Sequence, residues 1–170
     1  MRWLACALLF ACGGGAAPAP QAVTLPAPPV ASEAPIPERA PEEPKGEAAP
    51  EVLARDRVTV VHFFASWCYP CKKSVPELAA IASRHPGVTV MGFAEDDDEG
   101  GARAFIASLA ATFPFEWDAR REHAGKWKPA TMPTTYVIDR RGAVRFTHAG
   151  YRDGDAVQLE AEVRALEHER

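Results

Sequence analysis

The 170-residue sequence has only four cysteines, and beyond position 12 it holds a single pair, Cys68 and Cys71. No second pair follows, and no histidine pair stands at regular spacing, so a four-ligand structural zinc site lacks donors. No metal and no other cofactor is expected. Basic residues are also short, 19 Lys and Arg against 23 Asp and Glu, for a formal net charge of −4. That balance argues against a nucleic-acid partner, which needs a basic face. Large apolar side chains are almost missing from residues 13–50, which carry ten of the sixteen prolines. Such a stretch cannot bury enough apolar surface to offset the entropy of ordering. Pro-rich chain is extended and semi-rigid, so residues 13–50 are predicted to be a disordered tether. A partner-binding proline motif is the alternative.

What precedes the tether is a short apolar run, Trp3 to Ala11, behind Arg2. At about 1.5 Å per residue it is too short to cross a bilayer as a helix. A charged start and a short apolar centre describe a secretory signal, so residues 1–12 are read as one. Its end, Leu9-Phe10-Ala11-Cys12, resembles the lipobox of bacterial lipoproteins. That resemblance implies lipidation of Cys12 and a lipid anchor to a membrane. Cleavage after a nearby small residue, releasing a soluble protein, is the alternative. Both place the mature protein outside the cytoplasm, facing the periplasm.

Residues 51–170 read as one globular domain, large enough for its own core. Val58 to Ala65 is β-branched and aromatic without alternation, as in a strand covered on both faces. A helix is predicted from about Cys71 to Arg84, stopped by His85-Pro86-Gly87. Val88 to Phe93 is a second buried strand, and Phe105, Ile106, Leu109 and Ala110 mark a second amphipathic helix. Thr134–Asp139 and Ala143–Thr147 flank Arg140-Arg141-Gly142 as a β-hairpin. A last helix begins near Asp155, with Leu159, Val163 and Leu166 on one stripe. The order is β-α-β-α-β-β-α, an α/β fold with parallel first strands and an antiparallel final hairpin. Pro50 to Arg57 has room for a short opening helix.

Cys68-Tyr69-Pro70-Cys71 falls where a strand passes into a helix. A C-x-x-C pair alone fits metal ligation or redox work, and a bridge across so small a loop adds little stability. At a helix N-terminus, unpaired N–H groups and the macrodipole favour a thiolate. The thiolate is the attacking species in disulfide exchange. Cys68 is therefore the candidate nucleophile, and Cys71, one turn on, the resolving thiol.

Phe64-Ala65-Ser66-Trp67-Cys68-Tyr69-Pro70-Cys71-Lys72, with Val75-Pro76-Glu77-Leu78, resembles the TlpA/ResA-like branch of the thioredoxin superfamily. The likeness continues through Phe113-Pro114, Asp118 and Met132-Pro133-Thr134-Thr135-Tyr136-Val137-Ile138-Asp139. It implies a thioredoxin fold, a central mixed β-sheet flanked by helices, and protein-disulfide reductase activity. It also implies that Pro133 is cis against the dithiol and that the Met132 backbone pairs with an extended substrate. Trp67, Tyr69 and Pro70 are the remaining candidate substrate contacts. Pro70, before the second cysteine, resembles the reducing members. Glu95 matches an acid that takes the proton from the resolving thiol, although it opens an acidic run, 95–99, that also suits a helix N-terminus. His62 departs from the pattern: thioredoxins carry a buried Asp six residues before the nucleophile. It is either a neutral proton acceptor or, the favoured reading, a core histidine satisfied by a backbone carbonyl. His85, His123, His148 and His168 read as surface residues.

The implied partners are disulfide-containing exported proteins, apocytochrome c among them, and a membrane thiol transporter as electron donor to a monomer. Two other functions remain open. A peroxiredoxin-like peroxidase has a Thr three residues before its reactive cysteine, where this chain has Ala65. A non-catalytic binding module or metal chaperone has no need of the paired dithiol and Pro133.

Overall fold

The computed structural model describes residues 46–51, 53–54 and 56–169. The expected signal, Cys12 and the tether up to residue 45 lie outside the described residues. Ten elements follow one another: β1 (Glu47–Ala48), β2 (Thr59–Phe64), α1 (Cys71–Arg84), β3 (Thr89–Ala94), α2 (Glu99–Ser108), β4 (Phe115–Trp117), α3 (Glu122–Trp127), β5 (Thr134–Ile138), β6 (Ala143–Ala149) and α4 (Asp155–His168). The strands form one mixed sheet in the order β1-β6-β5-β2-β3-β4. β2, β3 and β4 run parallel, while β5 and β6 run antiparallel to their neighbours. This is a thioredoxin fold, a central mixed sheet with helices on its faces.

β2 is buried at all six positions because both of its faces are covered. Val60 and Phe64 pack with Val75 and Leu78 of α1 and with Leu159 and Val163 of α4. Val61 and Phe63 face the other way, with Phe93, Trp127 and Tyr136. α2 joins the first cluster through Ala102, Phe105 and Ile106. Gly92 of β3 is required by crowding there, since a Cβ would lie 2.9 Å from the Phe64 ring.

Three elements escape the sequence reading. β4 has three residues and α3 six, below the span over which periodicity shows. β1 falls in the stretch read as tether, and its backbone pairs Glu47 with Val144 on the sheet edge. The described residues of 50–57 form bends and no helix, which corrects that expectation. Glu51 instead ties this segment down, accepting hydrogen bonds from Trp127 Nε1 at 2.7 Å and Lys126 Nζ at 3.0 Å.

Candidate active site

β2 ends at Phe64 and α1 begins at Cys71, and the short turn between them carries the dithiol. Cys68 and Cys71 are joined as a disulfide. Backbone bonds from Cys68 N–H to Ala65 O and from Cys71 N–H to Cys68 O, both 3.1 Å, wind the turn into the helix. Pro70 is the N-cap and supplies no side-chain cap, so the dithiol sits at the positive end of the α1 dipole, which favours charge on the sulfurs. Cys71 is fully buried and Cys68 is 4% exposed. Trp67 and Tyr69 on either side of Cys68 are 63% and 74% exposed. Large apolar surface so open beside a buried sulfur marks a contact face.

The turn is held from the β3 side. Glu95 N–H donates to Phe64 O at 2.9 Å, which extends the β2–β3 pairing by one bond. The next residue, Asp96, accepts from the Ser66 N–H and hydroxyl. Asp96 O in turn accepts from Trp117 Nε1 at 2.8 Å, which secures β4 to the same corner. Asp98 takes the capping role expected of this acidic run, accepting from Gly101 N–H at 2.9 Å.

Glu95 is buried, and its Oε1 has no hydrogen-bond partner. Burial raises its pKa to about 7, with the Asp118 carboxylate adding to the effect. Asp118 is fixed by the N–H groups of Glu122 and Ala124, each at 2.8 Å. Glu95 makes no hydrogen bond to either cysteine in this oxidised form.

His62 is completely buried in β2, facing α1. Its Nδ1 lies 2.9 Å from Thr135 Oγ1 and its Nε2 3.2 Å from Ser74 Oγ. Two hydroxyls therefore satisfy it, not the backbone carbonyl expected. Burial lowers its pKa to about 3, so the ring is neutral. The Ser74 hydroxyl also approaches Cys71 O at 3.5 Å. Just ahead of β5, the Met132–Pro133 peptide is cis and Pro133 is buried. Met132 packs against the clusters on both faces of the sheet, one of which contains Cys68 and Cys71.

Three histidines read as surface residues are not. His148 is 5% exposed with its Nε2 2.7 Å from Glu162 Oε2. His85 is half-buried against Glu167 at 2.7 Å. His123 is half-buried, 2.6 Å from Glu51 Oε1 and stacked on Phe93. Each neighbours a carboxylate distant in sequence, a pairing no local spacing reveals. His148 alone had a local sign, since it alternates with Phe146 along one face of β6.

The model of the AhpC/TSA family matches residues 42–147. Among curated proteins, sporulation thiol-disulfide oxidoreductase A of Bacillus subtilis is 30% identical over 97 residues, 54% of this chain and 59% of its own length. The thiol:disulfide interchange protein DsbE homolog of Paracoccus denitrificans is 35% identical over 101 residues, 59% of this chain and 55% of its own. The matches thus span little more than half the length of these relatives. A Chlorobium tepidum crystal structure assigned as a thiol:disulfide interchange protein DsbE superposes with a TM-score of 0.67 at 28% identity, covering 73% of this chain and 98% of that one. The family match covers more than half of the 170 residues, so the chain belongs to the AhpC/TSA family, and it is similar to relatives named as thiol-disulfide oxidoreductases and thiol:disulfide interchange proteins.

Proposed function

We propose that this chain reduces disulfides of exported proteins outside the cytoplasm, with Cys68 as nucleophile and Cys71 as resolving thiol. One observation carries the reading: the Cys68–Cys71 disulfide lies at the start of α1, with Cys71 sealed in the core and Cys68 set between exposed aromatics. That arrangement leaves Cys68 as the sulfur nearer the surface, beside the side chains a client would meet first.

In the reduced protein the Cys68 thiolate attacks a client disulfide, forming a mixed disulfide and releasing one client thiolate. Cys71 gives up its proton, and its thiolate attacks Cys68 Sγ. The mixed disulfide breaks, the second client thiolate leaves, and the Cys68–Cys71 bond forms, so two electrons pass to the client. Glu95, with a pKa raised to about 7, is suited to accept the Cys71 proton at neutral pH. The Met132 backbone, outside any strand and beside the cis peptide, is placed to pair with an extended client segment. Trp67, Tyr69 and Pro70 form the apolar rim of that contact. A second dithiol must return the electrons, and a membrane thiol transporter fits that need. Residues 1–12 as an export signal, lipidated Cys12 and the Pro-rich tether hold the domain at a membrane. Clients of this chemistry include apocytochrome c.

The family model's name raises peroxidase activity as a second reading. Against it, Ala65 stands where a peroxidatic site has a Thr, and Cys68 is joined to a partner three residues away. The full chain with a small thiol donor should reduce a disulfide-bonded model protein, and Cys68→Ser should abolish turnover. Peroxide consumption without protein-disulfide reduction would overturn the reading.

A further inference from the structure

His62, Thr135 and His148 stand in one row across three strands. The β2–β5 register pairs His62 with Thr135, and the β5–β6 register pairs Thr135 with His148. Directly paired residues share a face with Cβ atoms about 5 Å apart. Helices extend the row at both ends: Ser74 of α1 meets His62 Nε2, and Glu162 of α4 meets His148 Nε2. One link is open. His148 Nδ1 is buried and has no hydrogen-bond partner. His148 lines a cavity of about 20 Å³ together with Ser74, Pro133, Thr135 and Tyr151. About 10–15 Å³ suffices for one water if polar partners surround it.

We propose that this cavity is a site for one ordered water joining the Thr135 hydroxyl to His148 Nδ1, and that His148 thereby acts as a positioning residue that sets the His62 tautomer. In the proposed row each group donates toward Glu162. A neutral His148 that donates from Nε2 to the Glu162 carboxylate has an accepting Nδ1, so the water donates to it. The water then accepts from the Thr135 hydroxyl. Thr135 Oγ1 must in turn accept from His62, which places the His62 proton on Nδ1. His62 Nε2 is left to accept from the Ser74 hydroxyl. Every bond points the same way, from α1 to Glu162, and aligned chains strengthen one another.

Protonating His148 reverses the row. Its Nδ1 then donates to the water, Thr135 donates to His62 Nδ1, and the His62 proton moves to Nε2. Ser74 now accepts from His62, and its hydroxyl turns to Cys71 O, 3.5 Å away. The state of His148 thus reaches the turn that carries the dithiol, 77 residues away in sequence. Other ionisable groups face the same space: Glu77 of α1, which accepts from the Tyr151 hydroxyl at 2.8 Å, and Asp155 of α4.

Histidine tautomers are read directly from long-range ¹H–¹⁵N spectra of the oxidised full chain, independently of whether the dithiol turns over any client. While His148 is neutral, with its proton on Nε2, the His62 proton is expected on Nδ1. As acid protonates His148, the His62 proton should move to Nε2 in the same titration, and His148→Phe should move it at all pH values. A His62 proton on Nε2 in the wild type while His148 is neutral would overturn the proposal. So would a His62 signal that stays on Nδ1 while His148 titrates.

Discussion

Ser66 presents its backbone N–H to both carboxylate oxygens of Asp96, at 3.0 and 3.2 Å, and gives its hydroxyl to the same group. This one carboxylate clamps the turn before Cys68 to the strand end that carries Glu95. Asp96→Ala leaves the Ser66 N–H without its partner and should cost about 1–3 kcal/mol in urea unfolding. Reductase rate should fall about ten- to a hundredfold, because Cys68 and its contact rim lose their fixed position. Ser66→Ala keeps the N–H contact and should lose less of both.

His62 links stability to acid. Its pKa of about 3 in the fold lies well below the ordinary value near 6.5. Between those two values the unfolded chain takes up a proton that the folded chain refuses. Stability therefore falls as pH drops through that window, by about 1.4 kcal/mol per unit from this group. Above pH 7 the ring is neutral in both states and contributes nothing to the slope. His62→Gln should flatten the fall between pH 6 and 4, as measured by urea midpoints at each pH.

Glu95 has the opposite sign for stability. Its pKa is raised in the fold, so the protonated form is favoured there, and stability is lost as pH climbs through about 7. Glu95→Gln removes that loss and should make the protein more stable at pH 8, by at most about 3 kcal/mol. The same variant should slow the release of client from the mixed disulfide on the order of 10²-fold. The inflection near pH 7 in the rate profile should vanish with it. A variant that is more stable and less active separates a working acid from a structural one.

Trp67 and Tyr69 are exposed, so replacing both with Ala should change stability by no more than about 0.5 kcal/mol each. KM for a protein client should rise several-fold. Exchange with a small dithiol, which needs no contact face, should keep its rate.

Much of this fold is legible because it repeats simple patterns over enough residues. α1 runs from Cys71 to Arg84, as its apolar stripe and the His85-Pro86-Gly87 stop require. The hairpin turns at Gly142, which adopts a φ of 85° that a Cβ would strain. β4 and α3 are too short for a period to register. The dithiol was legible from its strand-to-helix context, whereas Asp96 was not, because one carboxylate in an acidic run looks like its neighbours. Only the β2–β3 pairing tells it from Asp98, the cap of α2. The His148–Glu162 pair joins a strand to a helix 14 residues on, and neither residue carries a local mark of burial as strong as an apolar side chain.

In the proposed cycle Cys68 attacks and Cys71 resolves. Mass spectrometry of the reduced Cys71→Ser protein, mixed at neutral pH with a disulfide-bonded protein client, tests it most directly. A stable mixed disulfide on Cys68 is expected, with no adduct in Cys68→Ser under the same conditions. An adduct carried by Cys71 in Cys68→Ser, with none on Cys68 in Cys71→Ser, would contradict it.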